Sequence, residues 1–442
     1  MRDLPGLDWF ISPPWLRKYG PLKLVPAPLL DRVGLHYFVV ASSLGALMSG
    51  VFTLSAIVLR KTLGANEFQV AAFTALGPIA LLIGIFGGEV VQDRDKRPLI
   101  WWVGLVSRGA FLLFLFCHSI WSFLLISAVF FLFNALLTPA MYALWQANVS
   151  AESRSRLWGH VAVVTTILAM LVAYLSGVVL DHDPWSYRWL YAIGGVAGIA
   201  GVYILARSPV RGQYKLSPHV ARPTFAQLVI QPVRGFTTLL WTDRRFLHFE
   251  AAFFLYGVAF MLLAPVLPIY MVDNAKMTYE QAGIATGLLG QLGVVVASVT
   301  WGKMMDRLGP AKLCAVIFVV LALFPAVLLW GSMFQQSGML LVWSVYVGHV
   351  VFGIGMSGIN IAWSLGPVSF AGGRDASSYL GTHVTLTGLR GAVAPLLGAL
   401  GLSFFGYRVV FVASLVFFLL GSAGMIHLAR RLGHDKALAT AA

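Results

Sequence analysis

Twelve apolar runs of about 20 residues follow one another along this chain, each long enough for a helix rising 1.5 Å per residue to cross a hydrocarbon layer about 30 Å thick. We place them at 35–59, 68–91, 98–117, 121–145, 160–180, 187–206, 249–272, 280–302, 312–331, 338–362, 382–404 and 408–429. With 59% hydrophobic and 11% charged residues in 442, the chain has too few polar side chains to cover a water-facing surface. The expected fold is an all-α polytopic membrane protein, with the lipid bilayer as its solvent.

The widest gap between runs, 207–248, holds Pro209, Pro218, Pro223, Pro232 and seven Lys or Arg residues, and divides the spans six and six. The two sets echo each other. Asp31-Arg32-Val33-Gly34-Leu35-His36-Tyr37 recurs as Asp243-Arg244-Arg245-Phe246-Leu247-His248-Phe249 at an offset of 212. Trp158-Gly159-His160-Val161 opens the fifth span and Gly381-Thr382-His383-Val384 the eleventh, at an offset of 223. One ancestral half used twice in parallel orientation accounts for this. The expected organisation is an interfacial arm at 1–34, rich in Pro and Trp; a six-helix bundle at 35–206; a linker at 207–248; a second bundle at 249–429; and a tail at 430–442. The arm lacks the pattern of a cleaved signal peptide.

The net charge of +14 does not point to nucleic acid, because the basic residues punctuate apolar spans instead of forming a face on a soluble module. Placing both termini and the linker in the cytoplasm puts 24 Lys and Arg residues on the inner side. Only Arg60, Lys61, Arg188, Lys276 and Arg408 then fall outside, so the positive-inside tendency sets this orientation in an inner membrane. Cys117 and Cys314 lie far apart in apolar runs and suggest packing, not a disulfide or metal cluster. No CxxC, HExxH, GxxxxGK[ST] or GxSxG sequence occurs, so no metal site, no cofactor and no enzymatic chemistry is expected.

A charged turn follows the eighth span, Gly302-Lys303-Met304-Met305-Asp306-Arg307-Leu308-Gly309-Pro310-Ala311-Lys312, and a twin follows the second, Glu89-Val90-Val91-Gln92-Asp93-Arg94-Asp95-Lys96-Arg97-Pro98. Paired Asp-Arg turns in a chain of six plus six spans resemble the major facilitator superfamily of secondary transporters. The resemblance covers nearly the whole chain. The second turn fits that family's inner-loop pattern through Gly302, Met304, Asp306, Arg307, Gly309 and Lys312. The first keeps Asp93, Arg94 and Arg97 but has Glu89, Gln92 and Lys96 where glycine, a small residue and glycine are usual. The resemblance implies twelve transmembrane helices as two parallel six-helix repeats, with Asp93, Arg94, Asp306 and Arg307 docking against the opposite half and releasing as the halves rock.

Ionisable residues inside spans are functional candidates, because a charge at the bilayer centre costs about 2.5–3.5 kcal/mol on insertion scales. Glu89, Arg108, His349 and Arg390 stand out, and no Asp or Glu lies near the middle of a span, which argues against a carboxylate-centred proton relay. The tenth span carries Tyr346, His349, Gly353, Ser357 and Asn360 on one helical face. The fourth shows Asn134, Thr138, Tyr142 and Trp145, and the first Ser42, Ala46, Ser49 and Thr53. In the resembled fold, spans one, four, seven and ten line a central cavity. Asn134, Trp145, Tyr256, Tyr346, His349 and Asn360 are therefore the candidate substrate contacts. Small and hydroxyl residues also serve simply to pack membrane helices, and that reading stands beside the cavity for the first span. For His349 three roles are open: packing residue, ligand contact or proton acceptor.

Arg108 suits pairing with carbonyls or a headgroup better than substrate contact. Pro265 and Pro268 are expected to loosen the outer half of the seventh span. Glu89 and Arg390 are expected to pair across the halves and close the cytoplasmic side; the alternative is that Glu89 stays hydrated beside Arg94 or Arg97 and Arg390 binds carbonyls. The reading is a secondary active transporter moving a small organic, neutral or anionic solute by alternating access, driven by the solute's own gradient or by a coupling ion, proton or sodium. A lipid-modifying membrane enzyme would need a catalytic constellation at an interface, for which only Asp181-His182-Asp183 offers acidic residues. A non-transporting scaffold or receptor should have lost the repeated turns.

Overall fold

The computed structural model describes residues 29–91, 95–208, 231–334, 338–372 and 376–441, and no strand occurs among them. In the first half, α1 (Leu29–Phe52) and α2 (Ser55–Lys61) make one crossing with a two-residue break. Then come α3 (Glu67–Val91), α4 (Lys96–Gly109) with a 3-10 extension at Ala110–Phe116, α5 (Ile120–Asn148), α6 (Ala151–His182) and α7 (Tyr187–Ala206). After α8 (Gln231–Thr242) the second half contains α9 (Arg244–Ile269), α10 (Tyr279–Gly283), α11 (Gly290–Gly331), α12 (Gly338–Ser369) and α13 (Ala376–Ala441). Beyond Pro265 and Pro268, α9 widens into a π-helical turn at Tyr270–Asn274, the loosening expected of two prolines in one span.

Among the described residues nine helices are long and apolar enough to cross a membrane, and two of these double back. α11 breaks at Gly309 and α13 at Gly406, whose φ values of 72° and 77° lie in the left-handed region that only glycine enters freely. Gly293 of α11 packs on Val350 and Ile354 of α12, while Leu321, beyond the break, packs on Gly355. Both limbs thus flank the same stretch of α12. In α13, Arg390 reaches the Phe253 carbonyl of α9, and Gly421, beyond the break, packs on the adjacent Ala252. With each hairpin counted as two spans and α3 added, the described residues give twelve crossings, six in each half.

The sequence reading begins the first and seventh spans after their charged residues, but the helices carry those residues inside. α1 starts at Leu29 with Asp31 in its first turn, where an acid complements the helix dipole. Asp243 caps α9 by accepting from the Phe246 N–H at 3.0 Å. The two aspartates occupy matching places in the repeat and perform matching tasks. Buried Asp31 accepts from the Ser150 N–H and hydroxyl, at 3.3 and 2.5 Å, where the fourth span passes to the fifth. Asp243 accepts from the Tyr379 hydroxyl at 2.8 Å, where the tenth passes to the eleventh.

Close helix contacts rest on glycines, as they must where lipid offers no hydrophobic driving force between helices. A Cβ on Gly201 would stand 2.7 Å from the Ala41 carbonyl, and one on Gly398 would stand 2.2 Å from the Leu262 carbonyl. The same device joins the halves. Gly388 and Gly391 of α13 receive Leu82 and Pro78 of α3, and Gly283 and Gly287 abut Ala173 of α6.

Candidate functional site

One end of the seam between halves is closed by polar contacts. Arg60, at the end of α2, grips Asp273: its Nε donates to the two carboxylate oxygens at 3.2 and 3.1 Å, and Nη2 bonds Oδ2 as well. The Lys61 ammonium donates to the Met277 carbonyl at 2.9 Å and lies 4.6 Å from the Tyr279 ring centroid. Thr62 and Tyr279 join through their hydroxyls. Asp181, at the end of α6, accepts from the Tyr279 and Glu280 N–H groups at 2.7 and 2.8 Å. The Asp181-His182-Asp183 cluster is thus part of the closure: Asp181 holds the other half, and Asp183 caps the turn at Trp185.

The second constellation lies within the C-terminal half, just behind the α3–α13 contact. His383 Nδ1 is 2.9 and 3.0 Å from the Glu250 oxygens, with side-chain exposures of 0% and 2%. Two helical turns further along α13, the Arg390 Nη1 donates to the Phe253 carbonyl at 2.5 Å and Nη2 to Thr387 Oγ1 at 3.3 Å. Its guanidinium lies 5.4 and 5.5 Å from the ring centroids of Phe253 and Tyr256. Phe253 and Trp363 present ring edges to His383 at 4.7 and 5.5 Å. Two buried nitrogens, His383 Nε2 and Arg390 Nε, have no hydrogen-bond partner among the described residues.

The sequence places no Asp or Glu near the middle of a span, and Glu250 is buried near the start of one. Glu250 stands at the edge of the apolar run, but α9 starts at Arg244, so the residue is about 9 Å along the helix and wholly enclosed. Its place in the first half is taken by Phe38 (250 − 212), and that of His383 by His160 (383 − 223), which is exposed and bonds the Arg156 carbonyl. The Glu250–His383 pair belongs to one half only.

The sequence candidates divide into two groups. Trp145 is buried between Phe38 and Trp158, at 4.8 and 5.3 Å between centroids. Tyr256 stacks on Phe318 at 4.8 Å, and His349 Nδ1 sits 2.8 Å from the Val345 carbonyl with its ring edge on Phe324. All three are packed inside their own bundles, so of the roles open for His349 the structure supports packing. Asn134 and Tyr346 are half-buried and Asn360 is exposed. Tyr256 and Arg390, drawn from different lists, meet. Asp306 and Arg307 are exposed just before the Gly309 break. Glu89, Asp93 and Arg94 lie outside the described side chains, so the expected Glu89–Arg390 pair does too. Arg108 lies against Met48 and the Phe130 ring, with no substrate candidate beside it.

The sequence pattern of the Major Facilitator Superfamily matches this chain over residues 37–395 and again over 251–439. The chain belongs to the Major Facilitator Superfamily. Solved transporters share this fold. The nucleoside transporter NupG superposes with a TM-score of 0.69 at 13% identity, covering 89% of this chain and 99% of its own. A bacterial homologue of the human lysosomal transporter Spinster gives 0.66 at 13%, covering 91% and 98%. In sequence, the chloramphenicol resistance protein CraA of Acinetobacter baumannii is 25% identical over 194 residues, 44% of each chain. As a superfamily member the chain is a multi-pass membrane protein of the transporter class.

Proposed function

We propose that this chain moves a small organic, neutral or anionic solute by alternating access, coupled to protons at Glu250 and His383. The one-sided closure carries the alternating-access reading. Arg60, Lys61, Thr62 and Asp181 hold the opposite half at one end, while the seam along α3 and α13 is built from Pro78, Leu82 and glycines. With both termini in the cytoplasm, the closed end faces outward. Asn134, Tyr346 and Asn360 are the proposed solute contacts, supported from behind by Trp145, Tyr256 and His349. The likeness to a chloramphenicol resistance protein favours a partly apolar organic molecule over a metal ion or polyamine.

For coupling, the charges balance in one protonation state. An ionised Glu250 accepts from a neutral His383 through Nδ1–H, which leaves Nε2 with a lone pair, and Arg390 offsets the carboxylate. Tyr256 and Cys314, from α9 and α11, are the other titratable groups interacting with the cluster among the described residues. One added proton leaves a net positive charge in a dry site, where charge is costly, and so favours a rearrangement of the adjoining seam.

The test starts from thermal-shift screening of the purified protein, since a ligand at 100 times its Kd stabilises by about 2.7 kcal/mol. In proteoliposomes, a pH gradient should drive accumulation of the solute so found. Glu250→Gln should abolish that accumulation and keep exchange of labelled solute. Sodium-driven, pH-independent uptake would overturn the coupling, and no flux of any stabilising solute would overturn transport. A cysteine at Ser217 that reacts with an impermeant reagent outside intact cells would reverse the orientation.

A further inference from the structure

At the end opposite the closure, α9 enters the second half beside the last limb of α13, and Gly421 and Gly424 pack on Ala252. Beyond that contact the two helices flank a cavity of about 530 Å³. Arg244, Arg245 and His248 form one wall, and His427, Arg430 and Arg431 the other. Spacings of four on α9, and of three and four on α13, bring these side chains onto facing helix surfaces. All six are exposed, and among the described residues no acidic one lines the cavity. The neighbouring Asp243 already accepts from the Phe246 N–H and the Tyr379 hydroxyl.

We infer that this cavity binds the phosphate headgroup of an anionic membrane lipid. Arginines arriving from two helices offer a phosphodiester both charge and planar, forked donors. The volume suits a headgroup. The location chooses a lipid over a soluble phosphate. One crossing begins at Arg244 and another ends at Gly433, so the cavity lies where the apolar layer gives way to water. Trp241 stands there 69% exposed, its ring 5.4 Å from the Arg244 guanidinium, as an interfacial aromatic does. Ile426, 42% exposed, continues the apolar surface, and Leu428 floors the cavity between the charged walls. A lipid seated here would tie the entry of the seventh span to the exit of the twelfth. This inference is independent of the solute and of the coupling ion.

The full chain, purified in detergent and stripped of lipid, is titrated with phosphatidylglycerol, with phosphatidylcholine of the same acyl chains, and with inorganic phosphate. Thermal unfolding and native mass spectrometry read the binding. Phosphatidylglycerol should raise the melting temperature saturably and leave adducts of fixed stoichiometry. Phosphatidylcholine and phosphate should do neither. Arg430→Gln with Arg431→Gln should weaken phosphatidylglycerol roughly 30-fold, from two arginine charges at the membrane surface. An equal shift with phosphatidylcholine, a full shift with inorganic phosphate, or unchanged affinity in the double variant overturns the inference. If the double variant does not fold, Arg430→Gln alone carries the same comparison, and the wild-type titrations stand by themselves.

Discussion

A Cβ on Gly257 would stand 2.0 Å from the guanidinium carbon of Arg390, so the missing side chain on α9 is what admits the charged group of α13. At the matching position of the first half, Gly45 (257 − 212) has no atom within 4 Å of such a Cβ. Two glycines at one place in the repeat therefore do different jobs. Gly257→Ala should lower stability by about 1–3 kcal/mol through overpacking, read as a lower melting temperature of the purified protein. Gly45→Ala should leave it nearly unchanged. Equal effects at both positions would show that Arg390 does not occupy this space.

Breaking a buried pair by deleting one partner costs about 3–5 kcal/mol, whereas replacing both partners by apolar groups is often neutral. Glu250→Leu and His383→Phe should each destabilise the protein strongly, and the double variant should recover most of the loss. It should also transport without response to a pH gradient. Additive effects across that cycle would mean that the two residues act separately.

Asp273 and Arg60 are partly exposed, at 36% and 22%, so their bond is worth no more than about 1 kcal/mol. Asp273→Asn should then shift the balance toward an outward opening by up to about fivefold. A cysteine at Thr53, on the stripe expected to face the cavity, reports the change through faster labelling from outside. Cys117 and Cys314 are buried and should remain silent. An unchanged labelling rate would place the closing energy elsewhere, with Asp181 and Tyr279 as the next contacts to cut.

Asp95 caps α4 and accepts from the Arg97 guanidinium at 2.8–3.2 Å, a side-chain hydrogen bond that holds its carboxyl below the usual carboxylate range. A lowered pKa means that the stabilisation is complete above about pH 4, the unfolded value, and disappears as pH falls through the folded value. Wild type should therefore be more stable than Asp95→Asn at neutral pH, and the gap should close on acidification. Melting curves from pH 7 to pH 3 measure this. A gap that stays constant over that range would assign the effect to something other than ionisation.

The crossings could be read from the chain because an apolar run of 20 residues has few alternatives, and Gly309 because a turn before Pro310 needs a residue free of a Cβ. The start of α1 was harder, since Asp31 looks like a loop residue until Ser150 is seen to satisfy it. Glu250 and His383 are 133 positions apart, and nothing local signals that they meet. His383 does lie in a segment that repeats, and its divergence from exposed His160 was the available clue. Asp181 resembled a solvated loop because its partners, two backbone N–H groups of the other half, carry no signature in a sequence. Arg390 was recognisable as an intramembrane charge with backbone carbonyls among its open partners, but residue types do not say which carbonyl, that of Phe253, it would reach.

Asp31 tied to Ser150 and Asp243 tied to Tyr379 have a mechanical consequence. Each bond fastens the first helix of its bundle to the joint between that bundle's fourth and fifth crossings, so neither joint is free to act as an elbow. Displacement at one end of such a bundle is delivered to the other without slack. The turning point is left to the strip where Pro78 bears on Gly391, a smooth contact of ring against backbone with nothing to unhook. In the alternating-access cycle proposed above, the two bundles would turn as stiff arms on that axle and carry a stroke from Asp273 to Tyr379.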